Sequence, residues 1–123
     1  MTIADRGAVA VVDDDDGVRE ALQFVLEAAG FAVQGYHSAQ EFLPEAERGN
    51  WRCLVVDQHM PAITGLDLVA RLRNRGNRVP ALLITGSASP DLVERAAALG
   101  VEAVLEKPLA NGELLRYLED AAA

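Results

Sequence analysis

Cys53-Leu54-Val55-Val56-Asp57 is a short apolar run of strand length that closes on a carboxylate. A charge buried unpaired at such an exit would cost several kcal/mol, so packing alone does not account for Asp57. Other runs end in the same way. Val9-Ala10-Val11-Val12 stops at the acid cluster Asp13-Asp14-Asp15-Asp16, and Ala81-Leu82-Leu83-Ile84 stops at Thr85. Val101-Glu102-Ala103-Val104-Leu105 leads through Glu106 into Lys107-Pro108. The same end of several strands therefore carries acids, a hydroxyl and an ammonium group.

Helical patterns fill the spaces between these runs. Val18, Ala21, Leu22, Val25, Leu26 and Ala29 recur at helical spacing and predict one buried face, with Gly30 placed where a C-terminal cap needs positive φ. Phe31-Ala32-Val33-Gln34 reads as an edge strand, and Ser38 as the cap of a short helix with Phe42 and Leu43 inward. Gly49-Asn50 then breaks the chain, with Trp51 expected to cover a core edge. Thr64-Gly65 opens a helix with Leu66, Val69, Ala70 and Leu72 inward, ending near Gly76-Asn77. Ser89-Pro90 starts another, with Leu92, Val93, Ala96, Ala97 and Leu99 on its apolar face and Gly100 at its end, and Asn111 starts the last, through Leu114, Leu115 and Leu118. Strand and helix thus alternate five times.

Such alternation with short connections requires parallel strands joined by right-handed crossovers. The fold class is α/β, a doubly wound (βα)5 sandwich with a five-stranded parallel sheet of order 2-1-3-4-5. In that order the first and third strands are neighbours and the topological switch lies between their carboxyl ends, where Asp13, Asp14 and Asp57 would meet.

The chain has 123 residues, a formal charge of −8, 50% hydrophobic and only 5% aromatic residues, which suits helices on a buried sheet in one domain, residues 1–123, with about 8–120 structured. That charge excludes a nucleic-acid surface, and Arg71, Arg73, Arg75 and Arg78 are expected to be a solvated helix end. Cys53, the single cysteine, reads as a buried thiol. No apolar run is of membrane-spanning length and Met1 to Gly7 lacks a secretion signal, so a cytoplasmic protein is expected, with no membrane partner.

Three carboxylates gathered at one point repel by about 4 kcal/mol per close pair at the effective dielectric near a protein surface. A hard divalent cation removes the conflict, and Mg²⁺ suits it best because it takes one or two carboxylates and keeps positions open for phosphate oxygens. The phosphoryl group so implied could be met by the Lys107 ammonium and the Thr85 hydroxyl. Asp57, standing alone, is the natural nucleophile for an acyl phosphate, while the adjacent Asp13 and Asp14 suit the metal. Asp15 and Asp16 read as helix-cap and first-turn acids.

Val12-Asp13-Asp14, Asp57 followed by Met60-Pro61, Gly65, Ile84-Thr85-Gly86 and Lys107-Pro108 together resemble the receiver domain of two-component response regulators over nearly the whole chain. The fold so implied is the flavodoxin-like, CheY-like one, and the Val-Asp-Asp-Asp-Asp-Gly-Val-Arg opening with Ile-Thr-Gly and Glu-Lys-Pro looks most like FixJ-type receivers. The resemblance implies that Asp57 accepts a phosphoryl group from a phosphohistidine on a sensor histidine kinase or phosphotransfer protein. It implies Asp14 as direct metal ligand, Asp13 acting largely through water and His59 lending its backbone carbonyl, with Mn²⁺ able to replace Mg²⁺. Thr85 and Lys107 would bind the phosphoryl oxygens, and the Lys107-Pro108 bond is expected to be cis. The output would be switched through the fourth helix, fifth strand and fifth helix toward an output domain or protein partner, in a monomer or phosphorylation-dependent homodimer. No catalysis beyond transfer to Asp57 and its own dephosphorylation is expected.

Some positions depart from the receiver pattern. Val104 stands where many receivers have the switch Tyr or Phe, and Leu109 follows Pro108 in place of a frequent Phe. His59 and Ser87 are expected to face the site entrance and to tune acyl-phosphate lifetime through water access. The first rival is an Mg²⁺-dependent phosphatase of the haloacid dehalogenase type, but it needs a second acid where this chain has His59. The second is a pseudo-receiver that binds partners without phosphorylation, a reading that Val104 favours and the full acid, Thr85 and Lys107 set opposes.

Overall fold

A computed structural model describes residues 7–109 and 112–121, with side chains through residue 119. The expected helix start at Asn111 and both chain ends lie outside the described residues. Five parallel strands, β1 (Ala8–Val12), β2 (Val33–Tyr36), β3 (Trp51–Asp57), β4 (Ala81–Thr85) and β5 (Ala103–Glu106), form one sheet of order β2-β1-β3-β4-β5. The crossovers are α1 (Asp16–Ala28), α2 (Ala39–Ala46), α3 (Gly65–Asn74) and α4 (Pro90–Ala98), and α5 (Glu113–Ala121) follows the last strand. Fold class and strand order are those the alternation predicts.

Residue alternation along the strands divides the core into two layers. Ala10, Val12, Leu54, Val56, Ala81 and Leu83 face α2, α3 and α4, where Phe42, Leu68 and Leu72 are fully buried. Val9, Val11, Cys53, Val55, Leu82 and Ile84 face α1 and α5, against Leu26, Leu114 and Leu118. Burial pushes the Cys53 thiol up to about 12, which leaves it a neutral, inert filler.

Two strand starts differ from the sequence reading by two residues, for one reason. Phe31 N–H is spent on Leu26 C=O closing α1, and Val101 N–H on Ala96 C=O closing α4, so neither can open the next ladder. Pairing begins at Val33 and Ala103 instead. Trp51 belongs to β3, half-buried, with its ring edge-on to Tyr36 and Phe42 at 6.2 and 5.5 Å between centroids.

The apolar stripes of α1 and α4 are less buried than their periodicity suggests. Of the α1 stripe only Leu26 is buried, while Ala21, Val25 and Ala29 are exposed. The helix leans on the sheet edge, and Val18, Ala21, Leu22 and Val25 line an open groove of about 590 Å³ shared with Pro108 and Leu115. In α4, Leu92 and Ala96 are buried but Val93 and Ala97 face outward. Arg73 is likewise no solvated helix-end residue. Its guanidinium donates to the carbonyls of Leu99, Asn77 and Val79 at 2.8, 3.0 and 2.9 Å, tying α3 to the ends of α4 and the β4 approach. No helix among the described residues is long and apolar enough to cross a membrane.

Gly65 sets the distance between α3 and the acidic end of β3. A Cβ there would stand 2.6 Å from Asp57 C=O and 2.8 Å from Leu83 Cδ1. Gly65→Ala is expected to cost about 1–3 kcal/mol through overpacking, measured as a lower denaturant midpoint at unchanged m-value; full stability would show that α3 can retreat freely.

Candidate functional site

The sheet ladder runs directly into the residues singled out by the sequence. Asp13 N–H donates to Tyr36 C=O at 3.0 Å, Gln58 N–H to Ile84 C=O at 2.8 Å, and Lys107 N–H to Thr85 C=O at 2.8 Å. Asp57 pairs with Ile84 in register, and Thr85 with Glu106. Backbone hydrogen bonds therefore bring Asp13, Asp57, Thr85 and Lys107 to one edge of the molecule, at the carboxyl ends of β1, β3, β4 and β5.

Asp13, Asp14 and Asp57 each place one carboxylate oxygen within 4.8 Å of the others. Asp13 and Asp57 are 2% and 4% exposed, whereas Asp14 faces solvent. Asp13 Oδ1 accepts from Asp15 N–H at 2.9 Å, but Asp13 Oδ2 is buried without a hydrogen-bond partner. Burial holds the Asp13 carboxyl above its ordinary value, and the Asp57 and Asp14 charges add to this, against the Asp15 N–H and Lys107, which favour ionisation. A buried acceptor with a free lone pair, next to two more carboxylates, fits a hard oxygen-seeking cation.

Lys107 Nζ stands 3.1 Å from Asp57 Oδ1, a close ion pair rather than an aligned hydrogen bond. Burial works against the ammonium charge, but contact with Asp57 and the charges of Asp57, Asp13 and Asp15 outweigh it, so Lys107 is held above the usual lysine value. The Lys107-Pro108 bond is cis, as expected. Thr85 is fully buried and its hydroxyl meets the His59 ring at 3.2 Å. The His59 side chain is exposed beside the site, as is Ser87, which touches Thr85 through its backbone. Val104, half-buried in β5, packs against the core cluster beneath α4.

Asp15 caps α1 by accepting from Val18 N–H at 3.0 Å, and Asp16 pairs with Arg19 at 2.7 Å, so both serve the helix start. His37 Nε2 lies 2.9 Å from Glu41 Oε2 at the start of α2, away from the acid cluster.

Two residues that shape the site carry no sequence signal strong enough to find them. Gln58 Oε1 accepts from Leu66 N–H at 2.9 Å, while its carbonyl accepts from Gly65 N–H at 3.2 Å, fixing the β3–α3 turn. Glu106 Oε2 accepts from Ala88 N–H at 2.9 Å and holds the β4–α4 loop. A polar residue beside a conspicuous Asp or Lys has no periodicity of its own.

The fold and this end of the sheet define a class of regulatory domain. Residues 9–119 match the family model for the response regulator receiver domain. The chain belongs to that family and is a receiver domain of response regulators of two-component systems. It is 39% identical over 107 residues to the transcriptional regulatory protein FixJ of Azorhizobium caulinodans, covering 87% of this chain and 51% of that protein. With FixJ of Bradyrhizobium diazoefficiens it shares 34% over 116 residues, 94% of this chain and 57% of the relative. This chain thus spans about half the length of these relatives. The crystal structure of FixJ-N superposes with TM-score 0.87 at 32% identity, covering 94% of this chain and 92% of that one. Chemotaxis protein CheY4 of Vibrio cholerae gives 0.85 at 28%, with 93% and 97% covered. A receiver closest in motif to the FixJ type is what the sequence pattern predicts, and membership of this family leaves the haloacid dehalogenase reading without support.

The folded Asp13 carboxyl titrates above its ordinary value of 3.8, so its ionisation opposes folding. Its stabilising contribution is complete below that ordinary value and is lost as pH rises through the raised folded value. Asp13→Asn is therefore expected to stabilise the metal-free protein at neutral pH, with the gain disappearing on acidification below the ordinary carboxylate range. Denaturant melts in chelator across pH check this, and an Asp13→Asn protein less stable than the native chain at neutral pH would contradict it.

Proposed function

We propose that this chain works as a single receiver domain in which Asp57 accepts a phosphoryl group from a phosphohistidine donor. The observation carrying this is the gathering of Asp13, Asp14 and Asp57 within 4.8 Å, with Lys107 3.1 Å from Asp57 and Thr85 at the adjacent strand end. Asp14 and Asp57 would hold Mg²⁺ directly, Asp13 largely through water, and His59 through its backbone carbonyl; Mn²⁺ would serve in its place. The bound cation would draw charge from the phosphoryl oxygens and screen Asp57 from its acidic neighbours.

Asp57 attacks phosphorus through a carboxylate oxygen, and the phosphorus–nitrogen bond of the donor breaks as the acyl phosphate forms. Lys107 then exchanges its pairing with Asp57 for one with a phosphoryl oxygen, and Thr85 donates its hydroxyl to another. No other group on the protein is consumed, so the activity is transfer to Asp57 and hydrolysis from it. His59 and Ser87, exposed at the entrance, would govern water access and thus acyl-phosphate lifetime.

The donor would be a sensor histidine kinase or phosphotransfer protein. The switched surface would be α4, β5 and α5, read by an output domain or partner, in a monomer or a homodimer formed on phosphorylation. The FixJ relatives, being longer than this chain, support an output reached in this way. Movement of Thr85 would pass through the β4–α4 loop and Glu106, since Val104 supplies no aromatic ring to swing.

Incubation with Mg²⁺ and acetyl phosphate, read by intact mass, tests the acceptor. One phosphoryl mass is expected on the native chain, none on Asp57→Ala and none in chelator. No added mass on the native chain would favour a pseudo-receiver, and equal labelling of Asp57→Ala would move the acceptor elsewhere.

A further inference from the structure

The Thr85 hydroxyl has one proton and two lone pairs, and three groups surround it. Ser87 N–H lies 3.2 Å away and can only donate, whereas Ser87 C=O lies 3.1 Å away and can only accept. The hydroxyl proton is thus committed to the Ser87 carbonyl and one lone pair to the Ser87 amide. Satisfying all three contacts at once assigns the proton of the third to His59 Nε2, 3.2 Å away. With that assignment His59 carries its proton on Nε2 and the buried hydroxyl is fully satisfied.

We propose that His59 is a positioning residue that holds the Thr85 hydroxyl in its resting direction, so that this hydroxyl turns toward Asp57 only when the His59 contact breaks. In the resting arrangement Thr85 has no proton to offer another acceptor. Turning it requires surrender of the Ser87 carbonyl and of the imidazole together. Glu106 meanwhile fixes Ala88 at the far side of the same loop, so the loop cannot follow Thr85 without cost. The regulatory consequence rests on the reading of Asp57 as phospho-acceptor, but the contact itself does not.

The test compares the native chain with His59→Gln, whose amide can still donate to Thr85, and His59→Ala, which cannot. In the unphosphorylated proteins, three-bond NMR couplings to the Thr85 methyl carbon report the side-chain rotamer. The native chain and His59→Gln are expected to hold one rotamer and His59→Ala to average between rotamers. With Mg²⁺ and acetyl phosphate, His59→Ala is expected to be labelled a few-fold to about tenfold faster than His59→Gln, the range set by losing one hydrogen bond. Unchanged Thr85 couplings in His59→Ala would overturn the proposal whatever the labelling. Averaged couplings with no labelling of any protein would support the contact and refute the acceptor reading instead.

Discussion

Mutual repulsion among Asp13, Asp14 and Asp57 is the constraint on which the rest of the structure depends. The parallel ladder forces the conflict, because β1 and β3 are neighbours in register and both end in acid. At about 4 kcal/mol per close pair, the repulsion is comparable to a large share of the roughly 5–15 kcal/mol that holds an ordinary domain together. Lys107 offsets part of it from β5, and the Asp15 N–H offsets a little more at Asp13. What is left bears on Asp13, whose buried oxygen has no partner and whose carboxyl resists ionisation first because it is buried and then because Asp57 and Asp14 are charged. The two buried apolar layers on either side of the sheet carry the stability that permits such a site.

The same ladder explains how the site reaches the outer surface. Thr85 ends β4 and opens directly into the loop before α4, so a change in its hydroxyl direction is a change at the start of that loop. Glu106 precedes Lys107 and binds Ala88, which joins the end of β5 to the same loop. The contacts that join these ends are backbone and short polar ones. The residues around Asp57 and those that open the β4–α4 loop are thus the same few, and the His59 ring touches one of them, Thr85.

Most of the architecture was legible because its signals are strong and local. Runs such as Leu54-Val55-Val56 and Leu82-Leu83-Ile84 are too apolar for anything but buried strands, and Gly30, Ser38, Thr64 and Ser89 mark helix ends by cap chemistry. What escaped depends on competition for hydrogen bonds or on tertiary packing. Phe31 and Val101 look like strand residues, but the preceding helices claim their amides. Val25 and Val93 lie on good helical stripes, yet nothing among the described residues packs over them fully. Arg73 looks like any charged helix residue until three carbonyls from distant segments converge on it. At the site, the acids, Thr85 and Lys107 were legible from strand exits, whereas the roles of Gln58, Glu106 and the His59 ring required the loops in three dimensions.

A titration of the metal-free chain with Mg²⁺, followed through backbone amide resonances, tests the central claim most directly, that the gathered carboxylates form a cation site at the strand ends. The account predicts saturable shifts centred on Asp13, Asp14 and Asp57 to His59, with smaller ones at Thr85 and Lys107. Shifts that grow linearly and scatter over the acidic surface, with the strand ends unmoved, would contradict it.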